Sequence, residues 1–191
     1  LRLRDKGDGK YTFTMPASRV TVSVSFAEIE PEITVPAGVY IPVSVANLPF
    51  TDVPEYTWYS NAVLYVCRNG LMNGVSTYRF APEATTSRAM IVTILYRLEG
   101  EPAVGTSAFT DVAPGAWYAK AVSWAAANGI VNGYGDDTFA PDKSITREEM
   151  AAILYRYAAV KSYDVSARTS LYGYTDAAQV SGYAVHATSV K

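Results

Sequence analysis

The chain has 191 residues, 49% of them apolar and 18% charged, with a formal net charge of −2. That composition suits one or two globular domains with a real core and excludes a disordered chain. The near-neutral charge argues against a general attraction to nucleic acid or to an anionic membrane, so any anion recognition must come from a few placed cations. No run approaches the 18 apolar residues of a membrane span, and no signal-like segment opens the chain at Leu1.

Residues 1–26 read as the closing hairpin of an upstream β-domain. Asp8-Gly9 is a turn signal. Tyr11, Phe13 and Met15 alternate with polar residues, and after Pro16-Ala17-Ser18 so do Val20, Val22, Val24 and Phe26. Period two over both segments predicts two half-buried strands. The stretch from Gly7 to Ser18 resembles the closing hairpin of β-repeat modules in large surface proteins of Gram-positive bacteria. Residues 27–48 read as a linker, with Glu28, Glu30 and Glu32 beside Pro31, Pro36 and Pro42 and no helical period.

An internal repeat follows. Residues 50–98 align without a gap on residues 109–157, with 20 of 49 positions identical. Phe50-Thr51-Asp52-Val53 recurs as Phe109-Thr110-Asp111-Val112, Trp58-Tyr59 as Trp117-Tyr118, and Phe80-Ala81-Pro82 as Phe139-Ala140-Pro141. Arg88 recurs as Arg147, and Ile94-Leu95-Tyr96-Arg97 as Ile153-Leu154-Tyr155-Arg156. Chance does not supply that register, so a supersecondary unit has been duplicated. The units run from 49 to 100 and from 108 to 160. Tyr174-Thr175-Asp176 and Tyr183-Ala184 open a third copy over 171–191, read as cut short because the chain is a piece of a longer protein.

Each unit reads as helix, long loop, helix. In the second, Trp117, Ala121, Trp124, Ala125 and Asn128 have helical spacing, and Asn128-Gly129 ends the helix. A loop rich in Gly, Asp and Pro spans 130–144. Thr146 with Glu149 three residues on is a capping box, and Met150, Ile153, Leu154 and Tyr157 form an apolar stripe. The single cysteine, Cys67, falls in a predicted helix and excludes an intrachain disulfide. It reads as a small core residue. Trp58 and Trp117 read as core residues rather than sugar platforms, and Tyr96 and Tyr155 fit either role.

No catalytic or metal-binding set is credible. His186 is the only histidine. Asp136, Asp137 and Asp142 lack the spacing of a calcium loop. Glu148 and Glu149 read as capping and dipole partners at a helix start, not as paired catalytic carboxylates. The chain is expected to need no cofactor or metal and to be no enzyme.

The pattern resembles the S-layer homology family. The second copy carries its marks in Phe109-Thr110-Asp111-Val112, Trp117, Gly129-Ile130-Val131-Asn132-Gly133, Phe139-Ala140-Pro141 and Ile145-Thr146-Arg147-Glu148-Glu149. In the first copy the helix opens with Thr86-Ser87-Arg88-Ala89-Met90, where Met90 replaces the final Glu. The resemblance implies a mainly α fold of tandem helix-loop-helix repeats in a pseudo-threefold bundle, with its third repeat truncated and a β-hairpin before it. It implies an extracellular anchor on the bacterial cell wall or surface layer, holding pyruvylated wall polysaccharide in grooves lined by the helix-opening Arg and the Gly-rich loop. The expected binding residues are Arg88, Arg147, Gly133, Tyr134, Gly135, Asp52 and Asp111. An arginine at the first position of a helix, beside free N–H groups, suits a ketal carboxylate. Two alternatives stand open. Arg88 and Arg147 could pair with Asp52 and Asp111 as structural staples, with the aspartates capping turns. The unit could also be a protein–protein assembly module that self-associates in a surface layer.

Overall fold

The structure, a computed structural model, describes residues 4–5, 11–12, 48–106 and 109–190. The chain divides into two units, Leu1–Val39 and Tyr40–Lys191. In the first, strand β1 (Arg4–Asp5) pairs antiparallel with β2 (Tyr11–Thr12), Asp5 opposite Tyr11. The predicted strand at 20–26 and the linker over 27–47 lie outside the described residues.

The described part of the second unit is helical: α1 (Ser60–Arg68), α2 (Arg88–Leu98), α3 (Ala119–Ala127), α4 (Arg147–Val160) and a short α5 (Val185–Thr188) preceded by a 3-10 turn at Ala177–Gln179. The sequence dictates the ends of these helices. Thr146 Oγ1 accepts from Glu149 N at 3.2 Å, and Glu149 Oε2 accepts from Thr146 N at 3.0 Å, closing the predicted capping box of α4. In α2, Ser87 Oγ accepts from Met90 N, but the reciprocal bond ends on the Met90 sulfur at 3.5 Å, a much weaker acceptor than a carboxylate. At the other end of α1 and α3, Gly70 and Gly129 take φ of +66° and +68°. There Leu71 N reaches back to Val66 O, and Ile130 N to Ala125 O, each at 2.8 Å. This reversal drives Leu71 and Ile130 into the interior.

The packing is offset from the repeat. α2 of the first copy packs on α3 of the second, and one cluster joins Val92, Leu95 and Tyr96 to Val122, Trp124, Ala125, Phe139 and Ile153. Each Val, Leu, Ile or Phe side chain of the cluster, when fully buried, contributes about 1.5–3 kcal/mol. The front of the first copy has a smaller cluster of Val53, Val63 and Leu64, which Cys67 flanks while only partly buried. α4 packs on α5.

Two core expectations fail. Trp58 and Trp117 are 83% and 60% exposed. The helices begin at Ser60 and Ala119, after each Trp, so the indoles do not join the apolar stripe. Each meets the ring of the following tyrosine edge-on, with centroids 5.4 and 5.2 Å apart. Leu154 is also exposed, on the face of α4 that lines a groove, while Ile153 and Tyr157 are buried. The tyrosines of the Leu-Tyr-Arg runs differ. Tyr96 is buried with its hydroxyl donating to Pro102 O, whereas Tyr155 is half-buried under the Arg168 guanidinium.

Candidate functional site

Asp52 and Asp111 do the same work in both copies. The Asp111 carboxylate accepts from Phe139 N at 2.9 Å and Ala140 N at 2.7 Å. The Asp52 carboxylate accepts from Phe80 N at 2.8 Å and Ala81 N at 2.9 Å. Each aspartate therefore clamps the start of its repeat to the far end of the long loop. The clamp holds Ala81 and Ala140 at φ of 60° and 54°, a region an alanine enters only when its surroundings compel it. The bond from Phe80 N, aided by Ala81 N and the nearby Arg79, holds the Asp52 carboxyl below the usual carboxylate range. Neither aspartate pairs with Arg88 or Arg147.

The two arginines have different surroundings. Arg88 is 6% exposed and lies at the seam between the copies. Its Nε donates to Phe139 O at 2.9 Å, and its guanidinium lies over the rings of Tyr134 and Phe139. The first N–H groups of α2 are also occupied, because Arg88 N donates to Lys143 O and Ala89 N to Pro141 O. The loop of the second copy thus caps the second helix of the first.

Glu149 stands at the centre of that seam. Its Oε1 accepts from Tyr134 Oη at 2.8 Å and Lys143 Nζ at 3.0 Å, with Arg88 Nη1 at 3.6 Å. Burial pushes its carboxyl pKa up, but the bonds from Thr146 N, Tyr134 and Lys143 and the Arg88 charge outweigh it and hold the group at about 2. Tyr134 also accepts from Lys143 Nζ at 2.9 Å, and that bond and the one to Glu149 raise the lysine pKa. Gly133, at φ of +69°, leaves no room for a side chain, since a Cβ there would run into Phe109 and the Thr138 carbonyl. Gly135, at φ of +78°, faces open space.

Arg147 lies elsewhere. Its side chain is exposed, makes no ion pair or hydrogen bond among the described residues, and lines an open groove of about 870 Å³ between α4 and residues 169–190. The N–H groups of Arg147 and Glu148 meet no acceptor among the described residues, in contrast to their counterparts in α2. The groove wall combines Met150, Leu154, Leu171 and Val180 with polar Thr146, Asp176 and Gln179. Glu148 closes one side. It accepts from Ser181 N at 2.8 Å, Ser181 Oγ at 3.0 Å and Tyr183 Oη at 3.1 Å, which lower its pKa, the Ser181 backbone bond foremost.

The expected site residues therefore do not form one constellation. Arg88 meets Tyr134 across the seam, Asp52 and Asp111 clamp the loops, and Arg147 faces a separate groove without the 133–135 loop. Lys143 and the role of Glu149 across the seam escaped the sequence reading. Their visible signal is a set of exchanges between the copies, where Tyr134, Lys143 and Glu149 align with Val75, Ala84 and Met90. Among the described residues no group of three or more His, Cys, Asp and Glu could hold a metal ion, and no helix is long and apolar enough to cross a membrane.

Comparison with known proteins agrees with the repeat. Residues 49–89 and 108–151 match the family model described as the S-layer homology domain. The cellulosome-anchoring protein of Acetivibrio thermocellus is 32% identical over 116 residues, 58% of this chain and 26% of that protein. The surface-layer 125 kDa protein of Lysinibacillus sphaericus is 32% identical over 149 residues, 78% of this chain and 12% of its own length. An endoglucanase of a Bacillus species is 28% identical over 161 residues, 80% of this chain and 17% of the enzyme. The chain thus spans about a quarter or less of each of these relatives.

Proposed function

We propose, for a chain whose residues 49–89 and 108–151 match the S-layer homology domain, that it is a non-catalytic module anchoring an exported protein to the bacterial cell wall through acidic, pyruvylated wall polysaccharide. Relatives named as S-layer and cellulosome-anchoring proteins support the surface location, in the cell wall or surface layer. The polysaccharide reading rests on one observation: Arg147 opens α4 at the mouth of a groove with its guanidinium and two helix N–H groups unclaimed.

A ketal-linked pyruvate presents a carboxylate on a sugar ring. The N-terminus of α4 favours that charge by about 0.3–1 kcal/mol, and a charge-assisted bond from Arg147 adds about 1.5–3 kcal/mol. Met150 and Leu154 offer an apolar wall to the ring. The sum, about 2–4 kcal/mol, at most reaches the roughly 4 kcal/mol of millimolar binding. One groove is therefore a weak hold, and firm attachment comes from many acidic sugars along one polymer meeting many anchors.

Co-sedimentation with purified wall polymer tests the reading. Retention should fall when the polymer's pyruvate is removed by mild acid, and fall similarly in Arg147→Ala with native polymer. Retention indifferent to both changes would sink it. A second reading, a self-assembly module, draws on the exposed Tyr172, Tyr174 and Tyr183 around the third copy. Self-association that ignores added polymer, and is lost when these tyrosines become serine, would favour it.

A further inference from the structure

Arg88 and Arg147 hold the same place in the two copies, yet only Arg88 has a carboxylate in front of it. Glu149 receives hydrogen bonds from the Tyr134 hydroxyl, the Lys143 ammonium and Thr146 N, and Arg88 Nη1 adds its charge at 3.6 Å. Only about a tenth of the Arg88 and Glu149 side chains is exposed. These groups come from the start of α2, the long loop and the start of α4, so the cluster does more than complete a capping box. A capping box needs only Thr146 and Glu149. The Arg88, Lys143 and Tyr134 groups complete a pocket that fits one carboxylate.

We propose that Glu149 is an internal ligand: its carboxylate fills an acid-binding seat built around Arg88, and so closes the seam between the two copies to carboxylate-bearing sugars. Met90 stands at the matching position of the first copy and brings no charge to its own surroundings. The two helix-opening arginines thereby divide their work, Arg88 joining the copies while Arg147 remains available. The inference stands apart from the reading of the Arg147 groove, since its seat is Arg88 and its probe is a small acid.

Truncating Glu149 to alanine removes a CH2–COO⁻ group, which is the size and charge of acetate. In the full chain, Glu149→Ala should melt lower than the wild type, and sodium acetate should restore part of the loss. The rise should saturate at about 2–4 °C above a sodium chloride control of equal ionic strength. All proteins are compared in an Arg147→Ala background, which removes acetate binding at the α4 groove: there Glu149→Ala should keep its rescue, while the chain with Glu149 intact and Arg88→Met/Glu149→Ala should show no saturable rise. If Glu149→Ala is unfolded in chloride, the same titration is read as recovery of helical circular dichroism. Absence of acetate-specific recovery, or equal recovery without Arg88, would overturn the proposal. In the wild type, phenylglyoxal should modify Arg147 at least several-fold faster than Arg88, and equal rates would also overturn it.

Discussion

Gly133 and Gly135 lie two residues apart in one loop, share a left-handed backbone, and should respond differently to alanine. At Gly133 the new Cβ would sit 2.5 Å from Phe109 Cε1 and 2.5 Å from the Thr138 carbonyl oxygen. That carbonyl is backbone and already accepts from Tyr134 N, so it cannot swing aside without breaking the turn. At Gly135 the Cβ would meet nothing within 4 Å. Both variants incur the left-handed penalty of about 1–2 kcal/mol, and both gain the same small entropic benefit in the unfolded chain. These terms cancel in the difference. What remains is overpacking at Gly133, about 1–3 kcal/mol. Urea unfolding of Gly133→Ala and Gly135→Ala under matched conditions should reveal that gap, with Gly133→Ala the less stable. Equal stabilities would refute the packing argument. Lower affinity for wall polymer in Gly133→Ala, at unchanged stability, would mean that this glycine serves ligand approach instead.

The Glu149 carboxyl has its folded pKa depressed to about 2 from an ordinary 4.5. Its contribution is present above pH 4.5 and is lost as pH falls toward 2, worth about 3 kcal/mol in all. Denaturation at stepped pH should show that loss in the wild type and a flatter profile in Glu149→Gln. Asp111→Ala removes the acceptor for Phe139 N and Ala140 N and should cost about 2 kcal/mol by urea unfolding. Among the tryptophans, Trp124→Ala should cost about 3–5 kcal/mol, because its ring is buried against Tyr96. Trp58→Ala, by contrast, should stay within about 0.5 kcal/mol. Acrylamide should quench Trp58 and Trp117 but not Trp124.

The features that sequence revealed are those whose cause lies nearby. The Thr146 capping box and the Asn-Gly helix ends involve residues at most a few positions apart, and their chemistry is written in residue type. The Asp111 clamp was half visible: an aspartate capping a turn was readable, but the turn lies 28 residues on, at Phe139. Arg88 misled because identity between copies suggested identical roles. Its partner Phe139 O is 51 residues away in the other copy, and no local pattern announces such a contact. The tryptophans misled for a related reason. The helical spacing of Trp117, Ala121 and Trp124 extends the pattern too far forward, because α3 begins at Ala119.

The offset between what is duplicated and what is packed bears on how such a chain can be divided. The copy unit runs from the Phe-Thr-Asp start to the end of its second helix, but the larger buried cluster runs from α2 through α3 into α4. Residues 99–106, which a reader of the repeat would choose for a cut, bridge the middle of that cluster. Glu99 accepts bonds from Tyr157 and Lys161 at the end of α4, and the Tyr96 hydroxyl is tied to Pro102. The second copy expressed alone would carry half of two interfaces, α2 with α3 and α4 with α5, and the first would keep its own small cluster but lose the far side of α2. Like bricks laid in running bond, the copies hold because each joint is covered by its neighbour, and a repeat can be added or exchanged only together with the seam it completes.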